Sequence, residues 1–391
     1  MGGLAPLALL LGGCTDAVDT ALEDHLTEAE LRDVAEQIIG IGPRVSGLPS
    51  EEEARALVEQ MFSDAGLSEV RSDGFDWELW SREGATTLNG AEAWAWSPSP
   101  SVGVTGVLAT GDVTGAIALS RSSKTSRSEA FTTAWLGGAI GMVHISEFID
   151  ADGSDLVEVG HTLDGSVLPA LSVSDAIGDT LELGDTVTLD IGSALRPHTS
   201  YNVVGTVEGT GTGNPVFVTA HYDSWDTSES AFDNGLGVAG LVLMARQLAQ
   251  MAPRRDVIFL GMAAEEQGVQ GAQAWVAQNA ELARSGVLVL NLDVMWSAEG
   301  TYWVNADSSR HMTLALELAE GLGLEPRDGG SPSPSSDHLA FQGRGVPAFW
   351  ATRQPDRHYH TTHDRLEFLD LERSLAALKV NWGVLAAEVG L

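Results

Sequence analysis

Short apolar runs alternate with amphipathic segments in the second half of the chain. Runs such as 216–220, 257–261 and 287–293 have the length and composition of buried strands. Segments such as 238–251 and 371–389 carry apolar residues at helical spacing. This alternation predicts a mostly parallel, doubly wound α/β sheet flanked by helices. Ligands in such folds bind at the carboxyl ends of the strands.

Two further sequence patterns occur before residue 198. Residues 26–100 begin with a predicted helix after Thr27, which precedes Glu30 by three residues as in a capping box. Residues 101–197 contain short apolar runs separated by Gly, Asp and Ser, and predict a small β-rich inserted domain. The main domain is therefore expected to be discontinuous, comprising 26–100 and 198–391. The charged residues of the inserted domain show no catalytic spacing, so we expect this domain to be a binding or shielding module.

The first 14 residues are typical of an export signal. An apolar run over 4–11 ends in small residues directly before Cys14, the only cysteine of the chain. This arrangement looks like a bacterial lipoprotein cleavage box, with residues 1–14 as signal and Cys14 as the lipidated residue. Residues 15–25 would then form a polar tether, and the protein would lie in the cell envelope or outside the cell. An ordinary secretion signal or a disordered N-terminus is the alternative.

Composition excludes several classes of function. The 391 residues include 21 Lys and Arg against 55 Asp and Glu, for a formal net charge of −34. A chain this acidic cannot neutralise a polyanion, so a nucleic-acid partner is excluded. One cysteine allows neither an internal disulfide nor a cysteine metal cluster. No stretch reaches the ~18 apolar residues of a membrane span, which leaves a lipid anchor as the expected membrane contact.

Five potential metal-binding positions fall at the predicted strand ends and in adjoining loops: His221, Asp233, the pair Glu265-Glu266, Asp293 and a histidine cluster at 358–364. Imidazole and carboxylate suit zinc, and two metals about 4 Å apart need a carboxylate between them. Adjacent Glu265 and Glu266 can divide the work, one binding metal and the other taking a proton. Asp223 can accept the second ring N–H of His221. Each motif alone is common; together, at strand ends, they predict a metal-dependent hydrolase.

The order of these motifs resembles that of the dizinc aminopeptidase family, metallopeptidase family 28. The matching motifs are His221-x-Asp223, Asp233-Asn234-Gly235, Glu265-Glu266-x-Gly268, Asp293, Ser336-Asp337-His338-x-x-Phe341 and Tyr359-His360-Thr361. The resemblance covers about residues 26–391. Within it, 101–197 is similar to the protease-associated domain inserted in many members, most clearly at 137–141 and 168–171.

The resemblance implies a role for each matching residue. His221 and Asp293 would bind one zinc ion, and Glu266 and His360 the other. Asp233 would bridge the two ions, for which cobalt or manganese could substitute. Glu265 would be the general base that activates the water between the metals, and would later protonate the leaving amine. Tyr359 would help to stabilise the oxyanion. Asp223 and Asp337 would contact the metal ligands without binding metal themselves.

The predicted function is therefore an exported, zinc-dependent aminopeptidase that removes N-terminal residues from peptides. A carboxypeptidase of the same family would need basic residues for the substrate carboxylate, and Arg353 and Arg357 are candidates. A glutaminyl cyclase would use a single zinc ion, whereas this chain keeps both His221 and Asp293. A non-catalytic binding protein would have lost metal ligands, and this chain has not.

Overall fold

The computed structural model describes residues 25–149, 155–160, 167–226, 228–297 and 299–391. The predicted signal at 1–14 with Cys14, and all of the predicted tether except residue 25, lie outside the described residues. Lipidation at Cys14 and export therefore stay predictions. Among the described residues, no helix is both long enough and apolar enough to cross a membrane.

Helices and strands follow the predicted pattern with shifts of a few residues. The helices are α1 (Glu28–Ile39), α2 (Pro49–Asp64), α3 (Arg127–Leu136), α4 (Asp175–Gly178), α5 (Leu236–Ala249), α6 (Gln270–Gln278), α7 (Ala280–Ser285), α8 (Ser309–Gly321), α9 (His338–Gln342) and α10 (Leu371–Val389). The strands are β1 (Ser68–Arg82), β2 (Thr87–Leu88), β3 (Ala91–Glu92), β4 (Trp94–Ala95), β5 (Val102–Ala109), β6 (Ile117–Arg121), β7 (Gly141–Ser146), β8 (Phe148–Ile149), β9 (Asp155–Leu156), β10 (Ala170–Ser174), β11 (Thr186–Ile191), β12 (Ser193–Val207), β13 (Gly213–His221), β14 (Arg255–Met262), β15 (Leu288–Asn291), β16 (Thr301–Ala306), β17 (Arg327–Gly330) and β18 (Ala348–Gln354).

The chain divides into two compact units. The first unit comprises the residues up to Phe75 together with 199–356 and 364–391, and the second unit comprises 76–198 and 357–363. The second unit thus starts at Asp76, earlier than the predicted inserted domain at 101–197. It does so because β2 and β4 pair with β11 and β10, strands that lie far along the chain.

The first unit is built on an eight-stranded sheet in the order β1-β12-β14-β13-β15-β18-β16-β17. Its centre is parallel: β13 pairs in parallel with β14 on one side and β15 on the other, and β15 pairs in parallel with β18. β12 and β16 join antiparallel to β14 and β18. The predicted mostly parallel α/β architecture is confirmed.

Apolar side chains fix the helices of the first unit against this sheet. α5 is buried along almost its whole length, and α1 and α2 pack against it. Phe217 of β13 contacts Trp275 of α6 and Phe341 of α9, with ring centroids 5.6 and 4.9 Å apart. The predicted cap of α1 is present, since the Thr27 side chain accepts a hydrogen bond from the Glu30 backbone N–H.

The second unit has its own eight-stranded sheet, in the order β3-β2-β11-β5-β6-β7-β10-β4. Strands β5, β6, β7 and β10 are parallel neighbours, and β11 joins β5 antiparallel. Leu108, Val143 and Leu189 belong to one apolar core, while Trp96 and Phe131 belong to a second that includes α3. The unit is therefore β-rich with a core of its own, as predicted for an inserted domain; its relation to protease-associated domains stays a prediction.

Candidate metal centre

Three parallel strands of the first unit end beside one another and carry the predicted ligands. β13 lies between β14 and β15 and ends at His221, which pairs in register with Met262 at the end of β14. Glu265 and Glu266 follow β14 by a few residues, and Asp293 follows β15 by two. Asp233 lies just before α5. The topology thus gathers residues that are distant in sequence at the carboxyl edge of the sheet, where this fold binds ligands.

The imidazole of His221 faces two carboxylates. Its Nε2 lies 3.2 Å from Oδ1 of Asp233 and 3.4 Å from Oδ1 of Asp293. All three side chains are buried, and one ligand atom from each lies within 4.8 Å of the others. Among the described residues, neither Nε2 of His221 nor Oδ1 of Asp293 has a hydrogen-bond partner. Buried polar atoms that converge without hydrogen bonds are the donor set that a metal cation satisfies.

The other ring nitrogen of His221 fixes which tautomer faces the carboxylates. Nδ1 lies 3.2 Å from the backbone carbonyl of Asp223, so it donates its proton there, and Nε2 is the ring nitrogen that faces the two carboxylates. We predicted the Asp223 carboxylate for this contact, but its Oδ1 is 3.6 Å away. That carboxylate instead accepts the backbone N–H groups of Glu265 and Glu266 at 3.0 and 3.1 Å. Asp223 therefore links the loop after β13 to the loop after β14.

Mutual repulsion among the acidic groups shifts their protonation. Burial lowers the pKa of His221, but the charge of Glu265 and the surrounding carboxylates outweigh burial and hold that pKa well above its ordinary value. Burial raises the pKa of Glu265 well above its ordinary value, and Asp293 and Glu266 add to the rise while His221 opposes it. A cation between these groups would relieve the repulsion, which supports a metal site on electrostatic grounds.

Backbone strain is concentrated beside these residues. Ser230, Ala264 and Val294 adopt positive φ angles of 51°, 54° and 44°. Each lies within three residues of Asp233, Glu265 or Asp293. Such conformations cost on the order of 1–3 kcal/mol for residues other than glycine, and they concentrate at functional sites.

Arg44 is a buried residue that holds two of the site's loops, a role we did not predict. Its Nε donates to the carbonyl of Tyr222 at 2.8 Å, next to His221. Its Nη1 and Nη2 donate to the carbonyls of Glu229 and Ser230 at 2.7 and 2.9 Å, just before Asp233. Burial lowers the pKa of Arg44 to about 10, although the nearby carboxylates oppose that shift. These partners lie at least 178 residues away in the sequence, so no local pattern reveals them.

Asp364 is a second positioning residue that the sequence left unassigned. Its carboxylate accepts the backbone N–H groups of Phe232 and Asp233 at 2.8 and 3.1 Å. Burial raises the pKa of Asp364 to about 7; the hydrogen bond from Phe232 lowers it and the charge of Asp233 raises it. Asp364 therefore fixes the backbone of the predicted bridging ligand.

The Ser336-Asp337-His338 motif contacts Asn291 at the end of β15, two residues before Asp293. His338 contacts Asn291 through Nδ1 at 3.1 Å and the Ser333 carbonyl through Nε2 at 2.8 Å. Asp337 is fully buried, and neither of its oxygens has a hydrogen-bond partner among the described residues. Burial raises the pKa of Asp337 to about 8; His221 opposes the rise, whereas Asp293 and Asp223 add to it.

The remaining predicted site residues fall in both units. Glu266 is buried in the first unit. His360 and Tyr359 lie in the segment 357–363 of the second unit, where their rings stack with centroids 3.8 Å apart. Arg127 of the same unit places its guanidinium 5.1 Å from the Tyr359 ring centroid and its Nη1 3.0 Å from Nδ1 of His360.

Comparison with known proteins agrees with this arrangement. A model of peptidase family M28 matches residues 202–384, the stretch that holds all five predicted ligands. The chain is 28% identical to aminopeptidase YwaD of Bacillus subtilis (strain 168) over 370 residues, covering 85% of this chain and 78% of that protein. It is 29% identical to a probable leucine aminopeptidase 2 of Aspergillus fumigatus, covering 56% of this chain and 48% of that protein.

Solved structures share the fold. BSAP, a zinc aminopeptidase from Bacillus subtilis, superposes with a TM-score of 0.74 at 23% identity, covering 93% of this chain and 95% of that one. The aminopeptidase from Aneurinibacillus sp. strain AM-1 gives 0.72 at 22% identity, covering 94% and 95%. Together with the buried His221–Asp233–Asp293 cluster at the strand ends, the family model shows that residues 202–384 match peptidase family M28, and the solved structures show that the fold is that of zinc aminopeptidases.

Proposed function

We propose that this protein is a zinc-dependent aminopeptidase that hydrolyses the N-terminal residues of peptides. The observation that carries the proposal is the buried cluster of His221, Asp233 and Asp293, in which Nε2 of the imidazole faces both carboxylates. The match of residues 202–384 to peptidase family M28 makes a metallo-exopeptidase the activity to expect from such a cluster. The relatives described above carry the name aminopeptidase, which favours action at the N-terminal end.

The donor set suits zinc. One imidazole nitrogen with carboxylate oxygens is typical of catalytic zinc sites. In our proposal Asp233 is shared with a second ion held by Glu266 and His360, both of them buried. Coordination through Nε2 of His360 requires the proton on Nδ1, so Arg127 would have to withdraw from Nδ1 when metal binds. Bound zinc supplies a Lewis acid and lowers the pKa of water, and cobalt or manganese could replace it.

Glu265 is the proposed general base. Glu265 is less buried than Glu266, so its carboxylate is the more accessible of the two. A carboxylate next to a metal-bound water can act as a general base. It would take a proton from the attacking water and deliver it to the nitrogen of the leaving amine. In the same scheme the half-buried Tyr359 donates its hydroxyl hydrogen to the oxyanion.

The carboxypeptidase alternative is less well supported. Arg353, one candidate for holding a substrate carboxylate, already donates to the carbonyls of Ser297 and Gly300. Its guanidinium also lies 4.4 Å from the ring centroid of Trp296. An arginine with these contacts has little capacity left for the two-point contact that a carboxylate clamp needs.

The test is end-specific product analysis. Peptides with free, acetylated or glutamine N-termini are incubated with zinc-supplied protein, with and without a chelator, and the products are weighed by mass spectrometry. We expect single residues to be lost from free N-termini only, and the chelator to abolish the loss. Loss of residues from the carboxyl end would show that the protein is a carboxypeptidase instead. A decrease of about 17 Da in the mass of the glutamine peptide, which is the mass of ammonia, would show that the protein is a glutaminyl cyclase.

A further inference from the structure

A serine, a histidine and a glutamate form a hydrogen-bonded chain in the second unit. Ser120 of β6 and His144 of β7 are paired neighbours on adjacent parallel strands. Oγ of Ser120 lies 2.8 Å from Nδ1 of His144, and Nε2 of His144 lies 3.3 Å from Oε2 of Glu158. His144 is fully buried, and the Trp96 ring packs against it edge-on at 5.5 Å. The imidazole is therefore held in one orientation between the hydroxyl and the carboxylate.

The carboxylate fixes the tautomer of this histidine. An ionised glutamate only accepts hydrogen bonds, so Nε2 of His144 carries the ring proton and donates it to Glu158. Nδ1 then has a lone pair directed at the Ser120 hydroxyl. A hydroxyl, a base within hydrogen-bond distance and a third group that orients the base are the parts of an activated serine nucleophile.

A cavity of about 560 Å³ in the second unit gives this serine access to a small molecule. Ser120 is one of its lining residues, and most of the others are apolar, among them Val113, Ala134, Met142 and Leu181. Cavities of this size and character hold small organic ligands.

We propose that the second unit carries a serine hydrolase site, with Ser120 as nucleophile, His144 as base and Glu158 as the group that orients the base. The substrates that fit the cavity are esters of small apolar acids. Ser120 Oγ bonds to the ester carbonyl carbon while its proton moves to Nδ1 of His144. The carbon–oxygen bond to the alcohol breaks, and the alcohol leaves with that proton. One water then hydrolyses the acyl-serine and restores the enzyme, with no metal and no redox partner.

The experiment uses the full chain with its metal removed by a chelator, so that the proposed aminopeptidase activity is silent. The protein is treated with a reporter-tagged fluorophosphonate, digested and mapped by mass spectrometry, and hydrolysis of p-nitrophenyl butyrate is followed in parallel. We expect the label on Ser120 and measurable ester hydrolysis. Both are lost in Ser120→Ala, and hydrolysis falls by about 10²-fold or more in His144→Gln, in line with loss of a general base.

Two further variants keep the outcome decisive. Glu158→Gln preserves an acceptor for Nε2 and should fold, yet slow labelling about 10-fold or more because the imidazole loses its anionic partner. Thr133→Ala changes the cavity lining without touching the histidine, and should label like the wild type. An unlabelled Ser120 in folded wild-type protein, or equal labelling rates in wild type and Glu158→Gln, would overturn the proposal. Neither result bears on the zinc site.

Discussion

Arg44 and Tyr222 are joined by a hydrogen bond of 2.8 Å from the guanidinium Nε to the backbone carbonyl, across 178 residues of sequence. Tyr222 follows His221 directly, so this bond fixes the backbone that presents the imidazole. The same guanidinium holds the carbonyls of Glu229 and Ser230 ahead of Asp233. The geometry of two proposed zinc ligands therefore depends on a residue that binds no metal.

Replacing Arg44 by lysine tests this dependence. A lysine cannot reach all three carbonyls, and each buried carbonyl left unpaired costs about 1–3 kcal/mol. We expect the free energy of unfolding to fall by about 3 kcal/mol, and the protein to lose zinc faster during dialysis against a chelator. Thermal unfolding and metal analysis measure the two effects. Arg284→Lys, at an exposed helix position, is the matched control and should change neither; an Arg44→Lys protein with normal stability and zinc retention would refute the role.

Replacing Glu265 by glutamine separates metal binding from proton transfer. Glutamine keeps the shape of the side chain but cannot accept the proton of the attacking water, so turnover should fall by at least ~10²-fold. Zinc content should stay at the wild-type value because Glu265 is not a proposed ligand. The control is Glu281→Gln, whose side chain is 95% exposed. Near-normal turnover would remove Glu265 from the mechanism, and loss of zinc would reassign it as a ligand.

Comparing Asp233→Ala with Asp293→Ala tests which carboxylate bridges. If Asp233 is shared by two ions, its removal should abolish most bound zinc, whereas removal of Asp293 should lower the content from about two ions to about one. Elemental analysis of dialysed protein gives the counts. Equal zinc contents in the two variants, or two ions retained without Asp233, would show that another group serves as the bridge.

The metal-free protein should lose stability as the pH rises. Burial raises the pKa of Asp337 to about 8 from its ordinary 3.8, so the folded state holds a proton that the unfolded state releases between those values. Over that range this one group lowers the free energy of unfolding by up to about 1.4 kcal/mol per pH unit. Asp337→Asn should therefore flatten the slope and stabilise the chelated protein most at pH 8. The same slope in wild type and variant, measured by urea unfolding from pH 5 to 8, would contradict this account.

The sequence predicts those parts of the structure that have a local pattern of apolar residues. Apolar runs gave β13, β14 and β15 to within a few residues, and the ligands followed because parallel strands end at one edge. The early start of the second unit was not predicted, since β2 and β4 span only two residues each, too few to show a period. Arg44 and Asp364 were missed as positioning residues for another reason. Their partners are backbone groups more than a hundred residues away, and no side-chain pattern encodes those contacts.

The most direct measurement of the central claim is a zinc titration of the chelated full chain, in which release of the N-terminal residue of a peptide is followed by mass spectrometry after each addition. Our account predicts no release without metal, and a rise that reaches its plateau at about two zinc ions per chain. It also predicts no recovery in Asp233→Ala over the same range. Full activity in the chelated protein, or complete recovery in Asp233→Ala, would contradict a zinc centre built on His221, Asp233 and Asp293.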